Sequence, residues 1–222
     1  GDGAQRISGP HEMRARLLPK LITCEHLASY CLTEPNAGSD AGSLRTSTKR
    51  DGDHYVLNGA KVFISGGGFS DIYVVMARTG ENGPKGISTF VVEAGTPGLS
   101  FGKNEEKMGW RAQPTAMVNF DDCRNSAANL VGVEGDGFKY AMAGLDGGRI
   151  NIAACSLGGA QEALDRAVTY SKDRKQFGQA IADFQATQFK LADMEIELQA
   201  ARALLYEAAR KLDDKAADAT KF

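Results

Sequence analysis

Histidine is scarce in this chain. The 222 residues hold three, His11, His26 and His54. With no HExxH pair and no Cys/His run at ligand spacing, the sequence offers no metal site. There is no GxSxG elbow, no Walker loop and no GxGxxG, which removes support for the common hydrolase, P-loop and Rossmann readings. The four cysteines, Cys24, Cys31, Cys123 and Cys155, include no CxxC pair. In a chain of this length without a secretory signal they are expected as reduced thiols rather than two disulfides. No apolar run approaches a membrane span. Acidic and basic residues nearly balance, 28 against 26, with no long block of one sign, so neither nucleic acid nor a membrane is an expected partner. The opening Gly1-Asp2-Gly3-Ala4-Gln5-Arg6 does not resemble a signal peptide. The absence of an initiator Met leads us to expect a processed or excised fragment of a soluble intracellular protein.

What is present is enough for one large or two modest domains with a sizeable core: 42% of residues are apolar and 24% charged. Glycine is abundant, 26 of 222 residues, against an average of about 7%. From Ser29 to about Val133, short β-rich runs alternate with turn residues. The runs are Ser43–Thr48, His54–Ile64, Ile72–Ala77, Ile87–Val92, Leu99–Phe101 and Thr115–Phe120. The Asp51-Gly52-Asp53 step predicts a hairpin, and the close strand spacing predicts a small barrel or sandwich. The texture changes at Val133–Gly137. From Phe138 to Tyr170 small and apolar residues recur at helical spacing. After a turn near Asp173–Ala182, Leu191, Met194, Leu198, Ala201, Leu205, Ala208 and Leu212 form a seam of three- and four-residue steps. Two such helices are half of a four-helix bundle and call for partners. Residues 11–28 could add one helix, broken by Pro19.

Four segments carry candidate chemistry. The first is Cys31-Leu32-Thr33-Glu34-Pro35-Asn36-Ala37-Gly38-Ser39-Asp40-Ala41-Gly42-Ser43, a strand end running into a tight loop of hydroxyls and backbone N–H groups. It suits an anionic or strongly polarised ligand, although such a cluster is also an ordinary solvent turn. The second is Phe63-Ile64-Ser65, by itself a strand core. The adjacent Gly66-Gly67-Gly68 lacks the Lys-Ser/Thr of a phosphate loop and reads as a flexible turn. The third is Asp146-Gly147-Gly148-Arg149, where two glycines inside a helix cost about 1 kcal/mol each relative to Ala; close approach of a ligand or another helix would account for them. Asp146 and Arg149 could equally form an i,i+3 ion pair. The fourth is Arg174-Lys175-Gln176-Phe177-Gly178 with Phe184-Gln185, which in isolation is a solvated turn.

In this order the four segments resemble the acyl-CoA dehydrogenase family from about Leu21 to Phe222. The resemblance implies an α+β fold: a central antiparallel β-barrel domain at 29–134, followed by the long helices of a four-helix-bundle domain at 135–222. Residues 1–28 are then a remnant of an N-terminal helical domain. It implies FAD as cofactor and an acyl-CoA thioester as substrate. Tyr30, Cys31, Leu32, Thr33, Gly38 and Ser39 align with the loop along the flavin. Thr33 and neighbouring N–H groups would bond its pyrimidine side, and Ser39 would also meet the CoA. Glu34 and Asp40 are expected to shape the loop rather than transfer protons. Phe63, Ile64 and Ser65 match a second flavin segment, with Phe63 where many members carry Trp. Asp146, Gly147, Gly148 and Arg149 match a substrate segment. Arg174, Phe177, Phe184 and Gln185 match a turn that reaches the FAD of a neighbouring subunit, so a homodimer or homotetramer is expected.

The family's reaction is α,β-dehydrogenation. A carboxylate takes the thioester α-proton while the β-hydrogen leaves as hydride. Gly148 stands where some relatives place that carboxylate. The catalytic base is therefore unknown within this sequence and expected beyond Phe222. The Gln-x-x-Gly-Gly signature is also absent. Likeness over Phe63–Gly80, Pro84–Gly102 and Gly144–Leu157 implies a short, branched acyl group. The family further implies an electron-transfer flavoprotein as acceptor and a cytoplasmic location in a bacterium or the mitochondrial matrix in a eukaryote. Two rival readings remain: a non-catalytic flavin- and CoA-binding module, and a related flavin oxidase or monooxygenase.

Overall fold

A computed structural model of the chain describes residues 11–214. These fall into two compact units that meet in sequence at Gly144/Leu145. The part of the expected N-terminal remnant before His11, and the chain after Asp214, lie outside the described residues.

The first unit opens with helix α1 (His11–Ile22), then strands β1 (Ala28–Cys31), β2 (Ser47–Asp51), β3 (His54–Ser65), β4 (Ile72–Arg78), β5 (Ile87–Glu93), β6 (Leu99–Phe101), β7 (Thr115–Ser126) and β8 (Leu130–Val131). Pro19 does not break α1, contrary to expectation. It stands three residues from the C-terminal end, so it costs the helix the one bond that would reach Ala15 O, and little helix remains beyond it to be disrupted. The apolar side of α1, Met13 and Leu17, packs on Ile72, Val91 and Val131.

The strands form one eight-stranded sheet in the order β6-β7-β3-β2-β4-β5-β8, with β1 added beside β4. One feature of the expected antiparallel barrel needs correction. The sheet is mixed, because β1 runs parallel to β4 and β2 meets β4 in parallel at Ser47/Arg78. Among the described residues no pairing joins β6 to β8 at the two ends of the path. The continuous apolar run of β4 explains its central place, since a strand buried on both faces shows no polar alternation. Tyr73, Val75 and Ala77 enter one core with Tyr55, Leu57, Phe90, Val118 and Phe120. Val74 and Met76 enter a second with Leu32, Leu44 and Ile87.

The expected hairpin is present: Asp51 pairs with His54 across a turn in which Gly52 takes φ +62°. The run expected as a strand from Ser43 instead starts at Ser47, preceded by a short 3-10 turn at Ala41–Ser43. The backbone N–H groups of Arg45 and Thr46 are taken by the Glu34 carboxylate, at 2.6 and 2.9 Å, and so are withdrawn from any ladder.

Helix α2 (Gly137–Asp173) begins in the first unit, where Ala141 is fully buried, and continues into the second. After a two-stranded turn, β9 (Lys175–Gln176) and β10 (Gln179–Ala180), helix α3 (Gln185–Asp213) completes the second unit. Met194, Leu198, Ala201, Leu205 and Ala208, all from the expected seam, face Ile150, Leu157 and Leu164 across an apolar groove of about 940 Å³. Arg202 Nη2 donates to Gln161 Oε1 at 2.6 Å between the helices. All four cysteines are free. Among the described residues no helix is long and apolar enough to cross a membrane, and no His/Cys/Asp/Glu group could hold a metal.

Candidate functional site

Strand β1 ends at Cys31, and the chain leaves the sheet as the hydroxyl-rich loop. The side chains of Cys31 and Leu32 are buried in the two cores, and burial pushes the Cys31 thiol up to about 12. These two residues can therefore offer a ligand only their main chain. Tyr30 donates its hydroxyl to Ala141 O at 2.9 Å. Thr33 is different. It is half-buried, and neither its N–H nor its hydroxyl has a hydrogen-bond partner among the described residues. Gly38 and Ser39 are exposed, and their N–H groups are likewise unpartnered there.

The second segment lies directly against Thr33, because the Val62 N–H donates to Thr33 O at 2.9 Å. The register between β3 and β7 slips between Lys61 and Ile64, and in that slip Phe63 adopts φ +57°. A left-handed aromatic residue is strained by about 1–2 kcal/mol. Here the strain holds a ring that is 67% exposed. Ile64 returns to the core at 2% exposure, while Ser65 faces out. Thr33, Phe63 and Ser65 thus form one exposed edge with an aromatic face, two hydroxyls and a free N–H. The turn that follows is no phosphate cradle. The N–H groups of Gly66, Gly67 and Gly68 are committed to Pro114 O, Ile64 O and the Tyr73 hydroxyl. Gly66 has φ +80°, and a Cβ there would strike the Ser70 and Ser29 hydroxyls.

The loop is held by a buried ion pair that the sequence did not announce. Lys61 Nζ donates to Glu34 Oε1 at 2.8 Å and to Leu32 O at 3.0 Å. Desolvation alone would push the Glu34 carboxyl up. Lys61 and the hydrogen bonds from Thr46 and Arg45 outweigh it and hold the group below its ordinary value. Burial pulls the Lys61 ammonium down, against the opposing effect of Glu34. A lysine heading the apolar run Val62-Phe63-Ile64, with two acids, Glu34 and Asp40, in the loop after Cys31, was the available signal. Arg78 braces the loop from the other side, donating to Leu44 O at 2.9 and 3.1 Å and to Gly42 O at 3.0 Å.

In the second unit, Asp146, Gly147, Gly148 and Arg149 occupy consecutive positions of α2. No ion pair joins Asp146 to Arg149 among the described residues. A Cβ on either glycine would meet no other atom of that unit, so packing within it does not require glycine. The β9–β10 turn brings Arg174, Phe177, Phe184 and Gln185 together. Phe177, at φ +53°, is 95% exposed, and its ring meets Phe184 edge-on at 6.4 Å. Arg174 and Gln185 are exposed beside them.

Residues 29–123 match the model described as acyl-CoA dehydrogenase, middle domain, and residues 135–222 the one described as acyl-CoA dehydrogenase, C-terminal domain. The chain belongs to the acyl-CoA dehydrogenase family. Family members are FAD-dependent oxidoreductases. The mitochondrial isobutyryl-CoA dehydrogenase of Dictyostelium discoideum is 59% identical over 94% of this chain and 50% of its own length. That of Bos taurus is 58% identical over 95% of this chain and 51% of its own. The solved butyryl-CoA dehydrogenase of Megasphaera elsdenii superposes with a TM-score of 0.91 at 45% identity, over 96% of this chain and 56% of that one. The chain spans about half the length of the curated relatives it matches. The exposed edge in the first unit fits the family's cofactor: the strained Phe63 ring offers a flat apolar contact, and the free Thr33 N–H and hydroxyl offer donors beside it.

Proposed function

We propose that this chain is the flavin- and CoA-binding half of an acyl-CoA dehydrogenase acting on a short, branched acyl-CoA such as isobutyryl-CoA. The observation that carries this reading is the Thr33–Phe63–Ser65 edge, tied together by the Val62 N–H to Thr33 O bond. Bound FAD supplies the oxidant that accepts the substrate's β-hydrogen as hydride. The chain's own residues do the rest of the holding. The Thr33 N–H would hold the pyrimidine side of the flavin, where a fixed donor favours the reduced form. Phe63 would offer its ring to the flavin and Ser65 its hydroxyl, with the main chain of Tyr30, Cys31, Leu32 and Ile64 alongside. Gly38 and Ser39 belong to the loop along the flavin, Ser39 also meeting the CoA, with Asp146, Gly147, Gly148 and Arg149 along the acyl-CoA. Arg174, Phe177, Phe184 and Gln185 serve the FAD of a second subunit in a homodimer or homotetramer, the guanidinium binding pyrophosphate in a charge-assisted bond.

The carboxylate that removes the α-proton is assigned to a segment beyond Phe222. Helices α2 and α3 are read as half of a four-helix bundle, completed by another subunit or by further chain. The exposure of Met194, Ile196, Leu204 and Tyr206, from 52 to 67%, supports that reading. An electron-transfer flavoprotein is the proposed acceptor. The location follows the source: the mitochondrial matrix in a eukaryote, as the names of the two relatives say of those proteins, or the cytoplasm of a bacterium. A second reading, a flavin- and CoA-binding module without catalysis, is favoured by Gly148 standing where some members carry their base.

Anaerobic titration of the FAD-reconstituted chain with isobutyryl-CoA separates these readings. Bleaching of the flavin band shows a working dehydrogenase site within this chain and overturns the assignment of the base beyond Phe222. Bound FAD that stays unbleached supports the binding half, and failure to retain FAD overturns both readings for the isolated chain.

A further inference from the structure

Lys61 is fully buried, yet it does more than neutralise Glu34. Its Nζ lies 3.0 Å from Leu32 O, and that oxygen belongs to the same planar amide as the Thr33 N–H. A cation on the oxygen side of an amide draws density away from its N–H and makes that N–H a stronger donor. The Thr33 N–H is free among the described residues. The following carbonyl, Thr33 O, is pinned by Val62 N–H at 2.9 Å. The amide is thus gripped on both flanks by consecutive residues of β3, and the strand then turns outward at Phe63. Glu34, anchored by the Arg45 and Thr46 N–H groups, keeps the ammonium in place. A buried ion pair is weak evidence of a gain in stability, so its placement against this one amide calls for another reason.

We propose that Lys61 is a positioning residue of the flavin site, polarising the Leu32–Thr33 amide so that Thr33 presents a strengthened, fixed N–H donor to the pyrimidine edge, with Glu34 as its anchor. This rests on the flavin reading above. The donor faces charge that is larger in reduced than in oxidised FAD, so Lys61 favours the reduced form.

The test uses Lys61→Met, Lys61→Gln, which keeps a neutral donor, and the double variant Glu34→Gln/Lys61→Met, which leaves no unpaired carboxylate. In the flavin-free chain, the Thr33 amide proton resonance moves upfield in Lys61→Met and part-way in Lys61→Gln. The Ala37 amide resonance, whose N–H bonds Glu34 O within the loop and so reports loop placement, stays put. In FAD-loaded protein the preference for reduced over oxidised FAD falls by about threefold to tenfold in Lys61→Met, a midpoint lower by about 15–30 mV for a two-electron couple. Lys61→Gln recovers part of that loss. A Thr33 resonance unmoved by Lys61→Met, or equal potentials, overturns the proposal; so does failure of all three variants to fold, which makes the pair a folding requirement. A parent chain that holds no FAD overturns the flavin reading, and the amide shift still decides the polarisation.

Discussion

The sheet unit and the helical unit treat their apolar residues differently. In the first, β4 is buried on both faces, and Tyr73, Val74, Val75, Met76 and Ala77 are all at 0% exposure. In the second, α3 buries Leu198 and Ala208 but leaves Met194, Ile196, Leu204 and Tyr206 more than half exposed. A sheet whose faces are covered by its own loops and helix has its hydrophobic stabilisation in hand. Two helices with an open groove between them do not, and they call for further helices. Loop geometry inside the first unit can therefore be set by that unit itself, whereas the helical site residues depend on what completes the bundle.

Truncating the sheet core should break the contrast most strongly. Phe90, fully buried against Tyr55 with ring centroids 4.8 Å apart, should cost about 3–5 kcal/mol as Phe90→Ala in urea unfolding. A much smaller loss would mean the first unit is not self-sufficient. Next, Lys61→Met leaves the Glu34 carboxylate buried without its cation and should cost about 3 kcal/mol. The same pair gives a pH signature. Because the folded Glu34 pKa lies below its ordinary 4.5, its contribution is fully present above about 4.5 and is lost as pH falls through the lower folded value. Glu34→Gln should flatten that acid limb of the stability profile; an unchanged profile would deny the pair its role.

Relieving strain gives a smaller effect of opposite sign. Phe63→Gly removes the left-handed aromatic and should raise stability by about 0.5–1 kcal/mol while weakening FAD retention. Lower stability would show that the ring is packed rather than displayed. The smallest change is expected in the groove. Leu204→Gln, at a position 54% exposed, should alter the stability of this chain by no more than about 0.5 kcal/mol in thermal unfolding. In a longer protein with the full bundle the same change should cost more, and that difference measures how much of the groove is covered.

Much of the architecture was legible because local rules act locally. The Asp51-Gly52 hairpin, the strand from His54, the two long helices and the seam from Leu191 follow from turn chemistry and periodicity. The mixed sheet was not legible: nothing within β1 says that it will lie parallel to β4 rather than antiparallel to a neighbour. Nor was the late start of β2, which depends on a carboxylate eleven residues earlier taking the Arg45 N–H. At the candidate site, residue types and order were readable in Tyr30–Ser39 and Phe63–Ser65. Which groups were free was not, because freedom is set by what other segments consume. The Gly66–Gly68 amides are spent on distant carbonyl and hydroxyl oxygens, while that of Thr33 is spared. Sequence by itself determined the elements and the chemistry they carry, since backbone propensity and side-chain type travel with the residue. Only the tertiary structure decided that Lys61 would grip Leu32 O and Phe63 would be turned outward, because both depend on the register in which β3 meets β7 and the loop after β1.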